Sequence, residues 1–157
     1  MAELVVRPMT PDEFAGWQRA SAEGFARHQV DAGTWAAEDA LERALASTAT
    51  TLPAGIDTER MLFLRAVVDG EAVGHAWVGL DHPRGAVACA FLYDIEIDEP
   101  WRGRGYGRML LAAVEHAVRV AGVPSLELNV HAVNGTAISL YGSSGYAVVT
   151  QQMRKAL

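Results

Sequence analysis

The sequence predicts a layered α/β or α+β domain, and three observations predict it. Three strand-like stretches follow one another between residues 61 and 98, separated by turn dipeptides, which reads as an antiparallel meander. A strongly amphipathic stretch, 105–121, comes directly after them. Short strand and helix candidates then alternate to the end, giving a strand–helix–strand crossover.

In chain order, Glu3–Arg7 (ELVVR) reads as a strand stopped by Pro8. Thr10 is a helix cap, with Pro11 at the first helical position and Asp12 and Glu13 in the first turn, predicting a helix over 11–27. Thr34 is expected to open a second helix, with Leu41 and Leu45 as its apolar stripe. Residues 47–58 (STATTLPAGIDT) have loop composition. Met61–Val68 is a continuous apolar run. Asp69-Gly70 is a tight-hairpin dipeptide leading into 71–80. The turn 81–85 leads into 87–98. Leu110, Val114, Ala117 and Ala121 recur at three-to-four spacing in 105–121, and Gly122 and Pro124 end that helix. Strands are then expected over 125–131 and 146–153, with a short helix over 134–142 between them.

Length and composition limit the function. The chain has 157 residues, 50% of them hydrophobic and 20% charged, which suits a single domain over 1–157 with a core that needs no metal or disulfide support. Cys89 is the only cysteine, so no internal disulfide forms, and a reducing compartment is expected. The formal net charge of −6 disfavours a binder of nucleic acid phosphates. It favours a neutral or cationic small partner. No stretch approaches the roughly 18 apolar residues of a membrane span, and residues 1–10 lack the pattern of a signal peptide. The expectation is a cytoplasmic protein with no membrane partner.

The most informative segment is Pro100-Trp101-Arg102-Gly103-Arg104-Gly105-Tyr106-Gly107-Arg108, between a strand and a helix. Alternate glycines let backbone approach a bulky group, and a helix start exposes unpaired N–H donors. Three arginines concentrate positive charge in an otherwise acidic chain. The segment is suited to a pyrophosphate. It is not a Walker loop, which ends in Gly-Lys-Ser/Thr. It is not a dinucleotide fingerprint either, because Arg108 stands where a small residue is required and the unit lies mid-chain.

Arg102-Gly103-Arg104-Gly105-Tyr106-Gly107 matches Arg/Gln-x-x-Gly-x-Gly/Ala, the cofactor signature of the GNAT superfamily of acyl-CoA-dependent N-acyltransferases. Downstream, Asn134, then Tyr141, then Gly145-Tyr146 match a second element of that family. Leu92-Tyr93-Asp94-Ile95-Glu96-Ile97 and Val6-Arg7-Pro8-Met9-Thr10 also fit, so the chain resembles the family over nearly its whole length. The resemblance implies a mixed, mostly antiparallel central sheet flanked by helices on both faces. It implies acetyl-CoA as co-substrate, held at its pyrophosphate around Arg102, Gly103, Arg104, Gly105, Tyr106, Gly107 and Arg108. It also implies backbone pairing of Ile95 and Ile97 with the pantetheine arm, contact from Asn134, and Tyr141 near the sulfur as general acid. Trp17, Phe25 and Trp35 become candidates for walls of the acceptor pocket, Trp35 being the one taken as substrate-binding. Members of this superfamily are often dimers, so a homodimer is a possible partner state.

The chemistry adds its own demands. An alkylammonium has a pKa near about 10.4 and must lose a proton before it attacks. In Asp94-Ile95-Glu96-Ile97-Asp98, acids and isoleucines alternate, so the acids share one face. Glu96 is the candidate base, and Asp94 with Glu96 the candidate anchor for a cationic amine. A bulge would change the facing and leaves the choice between them open. Asn134 and Tyr141 lie seven residues, two helical turns, apart and share a side. Cys89 reads as a small buried apolar residue. The five histidines (28, 75, 82, 116 and 131) lack H-x-x-x-H spacing, and no metal is expected. The expected activity is direct acetyl transfer to a primary amine of a small molecule or peptide in a ternary complex. The alternatives are a non-catalytic acyl-CoA sensor and an acetyltransferase of protein N-termini or lysines.

Overall fold

The computed structural model describes residues 2–157. The elements run β1 (Leu4–Pro8), α1 (Pro11–Asp31), α2 (Ala40–Thr51), β2 (Met61–Val68), β3 (Glu71–Gly79), β4 (Cys89–Ile97), α3 (Tyr106–Val120), β5 (Ser125–Leu128) and α4 (Gly135–Ser143). One sheet carries all five strands in the order β1-β2-β3-β4-β5. Its first three pairings are antiparallel. β5 joins parallel to β4, with α3 as the crossover.

Period-two alternation along the strands sends side chains to two faces, each covered by helix. Leu64, Ala66, Ala76, Val78 and Leu92 pack against Leu110, Leu111, Val114 and Val118 of α3. Leu110 and Val114 are fully buried, and truncating Leu110 to Ala costs about 2–5 kcal/mol. On the opposite face Phe63 and Trp77 meet Phe14 and Trp17 of α1. α1 starts where the sequence predicts. Thr10 Oγ1 accepts from the Glu13 amide at 3.2 Å and the Glu13 carboxylate accepts from the Thr10 amide at 2.9 Å, a reciprocal cap. Asp69 and Gly70 (φ 50° and 85°) form the two-residue turn of the β2–β3 hairpin.

Four expectations are corrected. α2 opens at Ala40, not Thr34, and buries Ala40 and Ala44 rather than Leu41 and Leu45, which stay exposed. The reason is close helix–helix approach: α1 and α2 meet through Ala22, Ala26, Ala40 and Ala44, where leucine would hold them apart. α2 also runs on to Thr51 through the supposed loop. The hydroxyls of Thr48, Thr50 and Thr51 donate to carbonyls four residues back and so stay within the helix. β5 ends at Leu128 rather than residue 131. Residues 146–153 form no strand. Val148 and Val149 are exposed and find no ladder, because β-propensity reflects packing that this segment does not receive.

Candidate active site on the two sides of β4

The register of β3 and β4 shifts between Trp77 and Val78: Trp77 opposes Asp94 while Val78 opposes Leu92, leaving Tyr93 as an extra residue. This bulge resets the alternation. Leu92, Ile95 and Ile97 pack toward α3, whereas Tyr93 packs with the α1 cluster and Asp94 bonds to Trp17 of α1. The carboxylates of Asp94 and Glu96 therefore line the α1 side, as the alternation of acids and isoleucines requires.

The bulge also marks the end of the β4–β5 ladder, which covers only Cys89–Leu92 against Ser125–Leu128. Beyond it, the β5 side of β4, including the backbone of Ile95 and Ile97, has no strand partner among the described residues. Such an edge accepts an extended ligand as an added strand.

The glycine turn lies at the far end of that edge. Gly103 and Gly105 take positive φ (75° and 84°), and Gly105 caps α3 without a side chain. No acid stands in the first turn of α3. The leading amides of Tyr106, Gly107 and Arg108 precede the first intrahelical bond, Met109 N to Gly105 O at 3.3 Å, so they face outward at the positive end of the helix. The arginines brace the turn. Arg102 donates to Ile97 O at 2.8 Å and to Glu96 Oε1 at 2.7 Å. Arg104 lies over the Trp101 ring at 5.2 Å. Arg108 reaches Ser143 Oγ (2.7 Å) and Ser144 Oγ (3.1 Å) at the end of α4. The turn thus presents backbone amides, held in shape by side chains.

α4 closes this side. Asn134 caps it by accepting from the Ala137 amide at 3.1 Å. Two turns on, Tyr141 is half-buried against the α3 core and its ring lies 5.8 Å from Tyr146. Burial, then the charge of Asp94, pushes the Tyr141 hydroxyl above its ordinary value, so it stays protonated at neutral pH.

The opposite side of β4 opens into a cleft of about 840 Å³ between α1, α2 and the sheet. Trp17, Phe25, Trp77 and Tyr93 supply apolar walls, and Trp77 stacks on Tyr93 at 4.2 Å. Carboxylates are abundant: Asp12, Glu13, Asp94, Glu96 and Asp98. Asp94 Oδ2 accepts from Trp17 Nε1 at 2.9 Å and lies 2.8 Å from His75 Nε2. Burial alone pushes the Asp94 carboxyl up. The hydrogen bond and charge of His75, with the Trp17 indole, outweigh it and hold the carboxyl below its ordinary value.

The predicted site residues thus converge on the two sides of β4, with one exception. Trp35 is not among the residues lining the cleft. It packs edge-on against Phe25 at 5.3 Å with Arg43 over its face, because the alanine contact of α1 and α2 draws it between those helices. Phe25 occupies the wall instead. Cys89 is buried at the far end of β4. His131 rests 6.3 Å from His28 of α1. Among the described residues no group of three or more His, Cys, Asp or Glu is placed to hold a metal ion, and no helix is long and apolar enough to cross a membrane. The sequence reading gave no role to His75. Its only signal was position, since β3 places it opposite both Arg65 of β2 and Glu96 of β4.

Comparison with known proteins places the chain in a family. Residues 18–146 match the model of the acetyltransferase (GNAT) family. The chain is 33% identical over 157 residues to the uncharacterized N-acetyltransferase YdgE of Bacillus subtilis, covering 98% of each. It is 33% identical to YycN of the same organism, covering 98% of this chain and 99% of that one. The crystal structure of YycN superposes with a TM-score of 0.89, at 32% identity and 98% coverage of both chains. An aminoglycoside N(6')-acetyltransferase of Stenotrophomonas maltophilia is 35% identical over 126 residues, 77% of this chain and 71% of that protein.

Proposed function

The chain belongs to the GNAT family of acetyltransferases, and from that premise we propose that it moves an acetyl group from acetyl-CoA directly to a primary amine bound in the acidic cleft. The observation that carries the reading is the bulge in β4. It leaves an unpaired strand edge running to an uncapped helix start on one side and turns Asp94 toward a carboxylate-lined cleft on the other. A thioester laid along the edge then has its carbonyl beside the bulge, within reach of an amine in the cleft.

In this reading the amides of Arg104, Gly105, Tyr106, Gly107 and Arg108, with Gly103 in the same turn, hold the pyrophosphate. Arg102 holds the turn against β4. Ile95 and Ile97 pair with the pantetheine through their backbone, and Asn134 flanks it. Tyr141 gives its proton to the departing thiolate. Asp94 and Glu96 draw in the ammonium. The Glu96 carboxylate already accepts from Arg102, which suits an anchor. The excess of carboxylates favours a cationic small molecule, and the acceptor of the aminoglycoside relative is of that class.

The test is thiol release from acetyl-CoA across a panel of small amines, polyamines and peptide amines. Intersecting double-reciprocal lines for acetyl-CoA and amine support direct transfer. Parallel lines contradict it, since they mark an acyl-enzyme. Tight acetyl-CoA binding with amine-independent hydrolysis alone favours the sensor reading.

A further inference from the structure

The proposed transfer needs an acceptor for the ammonium proton, and the sequence offered Glu96. The structure points to a different group. His75 stands in the middle of the cleft wall with little of its ring exposed (13%). Its Nε2 lies 2.8 Å from Asp94 Oδ2. The Asp94 carboxyl is held ionised and its oxygens only accept, so in the neutral ring Nε2 carries the hydrogen and donates, and once the ring has taken a proton its charge faces the same carboxylate. The lone pair of the neutral ring is then on Nδ1, and the side-chain hydrogen bond that His75 makes among the described residues uses Nε2. Trp17 Nε1, donating to the same Oδ2 at 2.9 Å, fixes the carboxylate from the α1 side. Asp94 also projects its charge on Tyr141.

We propose that His75, oriented by Asp94 and Trp17, is the proton acceptor of this enzyme. The inference rests on the amine-acetylation reading above. The ammonium R–NH3+ gives one proton to His75 Nδ1, leaving R–NH2. The nitrogen lone pair forms the C–N bond to the thioester carbonyl, whose π electrons move to oxygen. When that oxyanion collapses, the C–S bond breaks and the thiolate takes the Tyr141 proton, which is replaced by the second nitrogen proton. The products are R–NH–acetyl, CoA–SH and one proton, which His75 returns to water through the open cleft. Asp94 keeps its charge throughout and acts as a positioning residue. The charged groups around the ring are Asp94 and Glu96 from β4, Arg65 from β2 beside Asp98, and Asp12 and Glu13 from the first turn of α1.

The experiment compares two amines of nearly the same shape in the parent and in His75→Gln: benzylamine, a cation at pH 7, and phenylhydrazine, neutral at pH 7. Both suit an aromatic-walled cleft. With benzylamine, kcat of H75Q is expected to fall about 100-fold or more, acetyl-CoA affinity staying at the parent value. The residual rate should climb with pH as solvent supplies the neutral amine. With phenylhydrazine the loss should shrink to less than about 10-fold, because no proton need be removed before attack. Equal losses with both amines overturn the proposal and leave His75 a purely structural residue. If the parent acetylates neither of these two amines, the acceptor is a different amine, and the amine reading itself fails only when the whole panel is inactive. Diethylpyrocarbonate then decides the inference alone, as it does if H75Q fails to fold. Peptide mapping of the parent should find His75 carbethoxylated at its free nitrogen. An unmodified His75 under conditions where the exposed His131 reacts overturns the proposal.

Discussion

On its β5 side, β4 offers backbone: an unpaired strand edge, two left-handed glycines and the first amides of α3. On its α1 side it offers side chains: Asp94 and Glu96, with His75 from β3 and Trp17 from α1. Backbone recognition suits a ligand that is the same in every turnover, since amides and a helix dipole read a pyrophosphate without regard to side-chain identity. Side-chain recognition suits a variable partner, because each wall can change without disturbing the turn. The difference says which substitutions should alter cofactor affinity and which should alter turnover or acceptor choice.

Tyr141→Phe is expected to separate the two sides most sharply. Removing the proposed proton donor should lower kcat about 100-fold or more, while calorimetric affinity for acetyl-CoA stays unchanged. Unaltered turnover would remove Tyr141 from the acid role. Gly105→Val attacks the other side. A β-branched residue at φ 84° is strained by about 1–2 kcal/mol and displaces the first amides of α3. The dissociation constant for acetyl-CoA should rise about tenfold or more, with kcat at saturation changed far less. A selective loss of kcat would contradict the division.

Glu96→Gln should produce a smaller effect. As the proposed, exposed anchor it should contribute about 1 kcal/mol or less, so KM for cationic amines is expected to rise by a few-fold and KM for neutral ones to hold. A comparable rise for neutral acceptors would show that Glu96 serves only to hold Arg102.

The smallest expected effect is the pH dependence of stability in the Asp94 network. Its folded carboxyl lies below the unfolded value of about 3.9. The ionised form therefore stabilises the fold above that pH, and the contribution is lost as pH falls through the depressed folded value. The Tm gap between the parent and Asp94→Asn should be widest near neutrality and close below about pH 4. A gap that widens on acidification would reverse the sign assigned to this group.

The same contrast explains what was legible in the sequence. The glycine turn, the Thr10 cap and the Asp69-Gly70 hairpin each lie within a few consecutive residues, and local physics fixes them. The cleft was only partly legible. Trp17 and Asp94 are 77 residues apart, and His75 and Asp94 are 19 apart. They meet only because a bulge at Tyr93 turns Asp94 toward α1. No spacing rule marks a bulge, so the carboxylates were visible and their orienting partners were not. Trp35 shows the converse: an aromatic near the expected pocket region was drawn away by an alanine-to-alanine helix contact.

The central claim is that the backbone of the glycine turn is the coenzyme site, and thermal unfolding in the presence of acetyl-CoA tests it most directly. At 100 times its Kd the ligand should stabilise the protein by about 2.7 kcal/mol, raising Tm by roughly 5–10 °C. NADH at the same concentration should leave Tm unchanged, and Gly105→Val should lose most of the acetyl-CoA shift. No shift of the parent up to millimolar acetyl-CoA would contradict the account.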